Sequence, residues 1–180
     1  MASGTEIRTG RFGVWRIAGW GLALAALILP FAAMQFGSEV NWTGSDFVVA
    51  GLLIGGAGLL FELTVRASDN RHYRAGVALA LAAGFLTIWA TGAVGMIGDE
   101  GNPINLMFGG VMLIALIGSA FARFQAPGMA RAMLAAAIAQ FAASAVGMVT
   151  DLTGGICSAM FTTIWLASAA MFRRAESSRP

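Results

Sequence analysis

The 180-residue chain is 58% apolar and 11% charged, with a mean hydropathy of +0.76. A soluble domain carries about 25% charged residues, so an ordinary cytosolic or secreted globule is excluded. The formal charge of +2 arises from eleven arginines and no lysine set against nine carboxylates. These charges fall in short clusters between apolar runs, which excludes a nucleic-acid-binding surface and makes the arginines markers of orientation.

A helix needs about 20 mostly apolar residues to cross the hydrocarbon layer. Such runs occupy residues 14–36, 46–66, 73–97, 104–124, 128–149 and 155–172. None alternates with period two, and an open sheet edge cannot be satisfied in lipid. The predicted fold class is therefore an all-α membrane protein, a six-transmembrane-helix bundle with short connections and successive helices as antiparallel neighbours. Residues 1–13 form a cytoplasmic N-terminal segment, 14–173 the transmembrane domain and 174–180 a cytoplasmic tail.

The first run follows Arg8 and Arg11 and carries Arg16 near its start. It is too long for the usual apolar stretch of a signal peptide, and no small-x-small cleavage site follows Pro30, so it reads as an uncleaved helix. Ser45-Asp46 precedes the apolar stretch Phe47-Val48-Val49 at the start of the second run and suits a helix cap region. Within that run Gly51 and Gly55 make a close-packing pair. Glu62 lies one turn before Arg66, the favourable helical order for an ion pair, and Arg66 can snorkel and draw the carboxylate to headgroup level. A proton relay is the alternative for such an intramembrane carboxylate.

On the third run Gly76, Ala80 and Gly84 lie on one face; Thr87 and Thr91 add hydroxyls. Asp99 follows that run, and Asn102-Pro103 then supplies a cap and a first-turn proline for the fourth. The fifth carries the strip Ala135, Ala139, Ala143 and Gly147. Gln140 is its deepest polar group, expected to make an interhelical hydrogen bond with Ser144 nearby. Asp151, after the fifth run, reads as a solvated loop carboxylate, as does Asp99. The competing reading of Asp46, Asp99 and Asp151 is a ring of carboxylates attracting cations at a pore mouth. Trp15, Trp20 and Trp42 suit an interfacial belt, whereas Trp89 and Trp165 lie deeper.

With six crossings every arginine falls on one side, around the chain ends and the turns at residues 66–74 and 123–131. The opposite loops and their edges hold Glu39, Asp46, Asp99, Glu100 and Asp151 without a cation. Arginine resists translocation, so both termini are expected to be cytoplasmic. Self-similarity is also present. Ala93-Val94-Gly95-Met96 with Asp99 recurs as Ala145-Val146-Gly147-Met148 with Asp151, and each even run closes on Arg66, Arg123 or Arg173. Three tandem two-helix hairpin repeats are the implied plan, packed through their small-residue strips.

Catalytic signals are missing. The single histidine, His72, and the single cysteine, Cys157, preclude a bis-histidine haem, a multi-thiolate metal site and an internal disulfide. No phosphate-binding loop, nucleophile elbow or His-Glu-x-x-His helix occurs. The expectation is a protein without catalytic residues, metal or cofactor, whose partners are the lipid bilayer and another membrane protein or a second copy, with no nucleic acid. A structural or accessory role through helix contacts comes first. A small channel or transporter for an ion or small solute is the alternative, resting on Glu62, Gln140 and the outer carboxylates.

Two loop segments, residues 41–47 with Asn-Trp-Thr-Gly-Ser-Asp-Phe and residues 98–103 with Gly-Asp-Glu-Gly-Asn-Pro, resemble a group of uncharacterised small bacterial inner-membrane proteins with six predicted transmembrane helices. The resemblance runs from the first helix to the fifth. It implies a multi-pass protein of the bacterial cytoplasmic (inner) membrane and transfers no functional residue.

Overall fold

The computed structural model describes residues 6–37, 41–99 and 101–177, the side chains of 6–15 excepted. The charges of Arg8, Arg11, Glu39, Glu100 and Arg179 and the ring of Trp15 lie outside the described residues. Six α-helices follow in order: α1 Glu6–Phe36, α2 Gly44–Ala67, α3 Arg71–Ala93, α4 Leu106–Phe121, α5 Ala126–Gly147 and α6 Leu152–Ser177, with a single 3-10 turn at Pro103–Asn105 before α4. No strand occurs among the described residues. All six are long and apolar enough to cross a membrane, α4 when taken with its 3-10 turn. The chain is a helical multi-pass membrane protein.

It divides into two compact units, Met1–Leu60 and Phe61–Pro180. In the first, Thr43 caps α2: its carbonyl accepts the Asp46 and Phe47 N–H groups, and Asp46 Oδ2 accepts the Thr43 N–H at 2.6 Å. Asp46 thus occupies the third helical position and reaches back to the cap. Trp42 packs edge-on against Phe47 with ring centroids 5.1 Å apart, a staple from the residue before the cap to the fourth residue of the helix. Together these fix where the chain enters α2.

In the second unit α3 packs chiefly on α6, α6 on α5 and α5 on α4, while α3 and α4 touch little. The expectation that each helix packs on its successor is met by α4–α5 and α5–α6 but not by α3–α4. The α3–α4 connection is a folded loop with left-handed glycines at Gly95, φ 78°, and Gly98, φ 68°. This loop gives α4 room to leave α3 and lie against α5. The shared core holds Ala83, Val111, Met133, Ala136, Trp165 and Phe172. Once helices are inserted, lipid gives no hydrophobic force between them, so contact relies on close approach of small residues. Gly76 illustrates this. A Cβ there would stand 3.1 Å from the Phe172 ring, and the Ser168 hydroxyl donates to its carbonyl at 2.7 Å.

Candidate functional site

Gln140 is the most enclosed of the candidate polar residues, with 0% of its surface exposed. Its Nε2 donates to the Ser158 carbonyl of α6 at 3.0 Å. One turn on, the Ser144 hydroxyl donates to the Gln140 carbonyl at 2.8 Å, and Ser158 Oγ lies 2.8 Å from Ser144 Oγ. Three side chains therefore join α5 to α6 in one small polar node. Gln140 Oε1, together with the Thr87 and Thr162 hydroxyls and Trp165 Nε1, is buried with no hydrogen-bond partner among the described residues.

Asp151 does not behave as a solvated loop carboxylate. Its backbone carbonyl accepts the Gly155 N–H, its Oδ1 accepts the Gly154 N–H at 2.9 Å, and its Oδ2 accepts the Gly98 N–H at 2.9 Å. It is the cap of α6, which starts at Leu152, ahead of the apolar run at 155–172. The backbone N–H groups of Gly154 and then Gly98 hold its carboxyl below the usual carboxylate range, because they stabilise the ionised form. Asp99, at the matching place after α3, instead uses its carbonyl, which accepts from Asn102 N and Asn105 Nδ2. The structure brings Asp151 to the α3–α4 loop, whereas Asp46 belongs to the first unit; near-equal spacing in sequence gives these three carboxylates different tasks.

Glu62 is paired with Arg66. The Arg66 Nε and Nη2 donate to its Oε1 at 3.0 and 2.9 Å, and the Glu62 side chain is 15% exposed. Arg74 binds the end of α2, donating to the carbonyls of Ser68 and Val65 and to Asp69 Oδ1.

Among the packing positions, Gly76 and Gly84 are buried and Ala80 is half-buried against the core. On α5, Ala143 and Gly147 are buried and Ala139 is half-buried, but Ala135 is exposed. The reason is geometric. At 3.6 residues per turn each step of four rotates by about 40°, so three steps swing the strip by about 120° off its face. Within the first unit, a Cβ on Gly51 or Gly55 would meet nothing within 4 Å.

Asn105 carries structural work that its sequence context does not reveal. Buried before α4, it accepts the Met96 and Ile97 N–H groups on Oδ1 at 3.1 and 2.9 Å and donates from Nδ2 to the carbonyls of Ile97 and Asp99. Asn70, likewise, caps α3 through the His72 and Tyr73 N–H groups. The only available signal was Asn placed just ahead of a helix.

Fold and polar positions together define a helical membrane protein whose buried polar groups tie helices and loops to one another. No family model matches the chain, and neither a curated protein nor a solved structure matches it.

Proposed function

We propose that this is a non-catalytic structural or accessory protein of a bacterial inner membrane, both termini cytoplasmic, acting through helix contacts with another membrane protein or a second copy of itself. The observation that carries the reading is the engagement of the deepest polar group. Gln140, fully enclosed, spends its amide N–H on a neighbouring helix, as an architectural residue does. The Glu62–Arg66 pair and the Asp151 cap place two further candidates in bonds that hold the fold. Affinity purification from the native membrane in mild detergent tests it. A reproducible stoichiometric partner, or a cross-linked second copy, is the expected result. Solute flux in proteoliposomes that is lost in Glu62→Gln at normal abundance would overturn it.

A small channel or transporter is the second reading. It is favoured by the partnerless atoms Gln140 Oε1, Thr87 Oγ1, Thr162 Oγ1 and Trp165 Nε1, since buried polar atoms without partners are costly and mark places where water or a solute completes the bonding.

A further inference from the structure

α4 closes on two residues that oppose its closing geometry. The Arg123 N–H donates to the Ala120 carbonyl at 2.9 Å and the Phe124 N–H to the Ser119 carbonyl at 3.2 Å. That pair of bonds ends a helix on a left-handed residue, usually glycine. Here the left-handed positions are Arg123, φ 47°, and Phe124, φ 57°. Glycine would adopt them without steric penalty, yet the chain holds a cation and an aromatic ring there.

Both face outward. Phe124 is 63% exposed and Phe121, the last residue of α4, is 84% exposed. The Tyr73 hydroxyl donates to the Phe124 carbonyl, and Asn70 Nδ2 donates to the Ala175 carbonyl. These bonds gather the α4–α5 turn, the start of α3 and the end of α6 at one end of the unit. Arg131 lies on the exposed row of α5 that continues through Leu134, Ile138 and Phe141. Its Nε donates to the Pro127 carbonyl at 3.3 Å, which holds the guanidinium back toward the turn. Arg131 stands five residues into the helix, about 7–8 Å along its axis from the turn. Neither Arg123 nor Arg131 forms an ion pair among the described residues, unlike Arg66, which pairs with Glu62, and Arg74, which pairs with Asp69.

We propose that this turn is a binding site for anionic phospholipid headgroups, in which the Arg123 and Arg131 guanidiniums contact the lipid phosphates while Phe121 and Phe124 enter the boundary between headgroups and acyl chains. Unpaired arginines at the edge of a bilayer attract anionic lipid, and exposed aromatic residues beside them add apolar contact at the same depth. The occupant is lipid and not a soluble anion, because the apolar part of the site faces the acyl chains.

The full chain in neutral detergent is titrated with phosphatidylglycerol or phosphatidylcholine, and bound lipid is counted by native mass spectrometry. The expected wild-type result is a preference of about 25-fold for phosphatidylglycerol, falling about fivefold for each arginine changed to glutamine. Arg123→Lys with Arg131→Lys keeps most of it. Equal binding of both lipids, a preference that survives the double glutamine change, or displacement by glycerol phosphate at lipid concentration would each overturn the site. Should the double variant fail to fold, Arg123→Gly decides. It relieves the left-handed strain, so it melts at or above the wild-type temperature in detergent and yet loses about fivefold in lipid preference. A glycine variant with unchanged preference refutes the proposal.

Discussion

The carboxylate of Asp151 bonds two distant backbone segments at once, accepting the Gly98 N–H on one oxygen and the Gly154 N–H on the other, each at 2.9 Å. Gly98 is left-handed, φ 68°, and only that backbone turn lets its N–H face the α5–α6 connection. The bond substitutes for the sparse packing between α3 and α4 by tying their loop to the start of α6.

From this follows a dependence on pH. The folded carboxyl of Asp151 lies below its ordinary value, held there by Gly154 and Gly98. Its contribution is therefore complete above the unfolded value of about 3.9 and disappears as pH falls through the lower folded value. Asp151→Asn keeps a cap acceptor and loses the charge. Melting in detergent should show wild type above this variant by a few degrees at neutral pH, with the two converging in acid. Asp151→Ala, lacking any acceptor, should melt lower than both.

Gln140 separates architecture from transport. Gln140→Met preserves volume and removes both the bond to the Ser158 carbonyl and the partnerless Oε1. An interhelical hydrogen bond in a membrane averages about 0.6 kcal/mol, and deleting an unsatisfied buried atom offsets part of that loss. The variant should stay within about 1 kcal/mol of wild type in a denaturation titration and retain its partners in a pull-down. Loss of a reconstituted solute flux without loss of stability would move the residue into a transport path.

Glycines divide by what a methyl group would meet. A Cβ on Gly118 would lie 2.8 Å from the Ala132 Cβ of α5, whereas one on Gly109 would meet nothing within 4 Å. Gly118→Val must push α4 off α5, and overpacking of this kind costs about 1–3 kcal/mol. Gly109→Ala should leave stability unchanged or raised. A denaturation series on the two variants measures the difference; equal stability would mean that α4 and α5 do not approach so closely.

The sequence made the six crossings legible because apolar runs of that length serve no other purpose in so short a chain. It was silent on how they end. The third run continues through Met96 and Ile97, both apolar, yet α3 stops at Ala93. Gly95 turns left-handed just past the Val94 cap, and Asn105 captures the Met96 and Ile97 N–H groups from downstream, an acceptor that no local pattern announces. The strip on α5 was legible at Ala143 and Gly147 and misplaced at Ala135, since spacing by four drifts around the helix. Reading Asp151 against the helix before it, and not the helix after it, hid the cap of α6. Gln140 was legible as an interhelical donor because an isolated amide deep in an apolar helix has few other uses; its acceptor, a backbone carbonyl, carries no signature.

Asn105 should be the most sensitive polar position in the second unit. It is 4% exposed, accepts two backbone N–H groups and donates to two carbonyls. Asn105→Ala leaves the Met96 and Ile97 N–H groups without their acceptor, and each buried group so stranded costs about 1–3 kcal/mol. Asn105→Asp retains the acceptor but loses both donated bonds and buries a charge. Both variants should lower the denaturation midpoint, and by more than Gln140→Met does. Amide hydrogen exchange supplies the local measurement: the Met96 and Ile97 amides, protected in wild type, should exchange rapidly in Asn105→Ala while the α5 amides remain protected. Protection that survives the substitution would show that the loop is held by its apolar contacts around Ile97 and Phe108, and the amide would then be a passenger of the packing instead of its clasp.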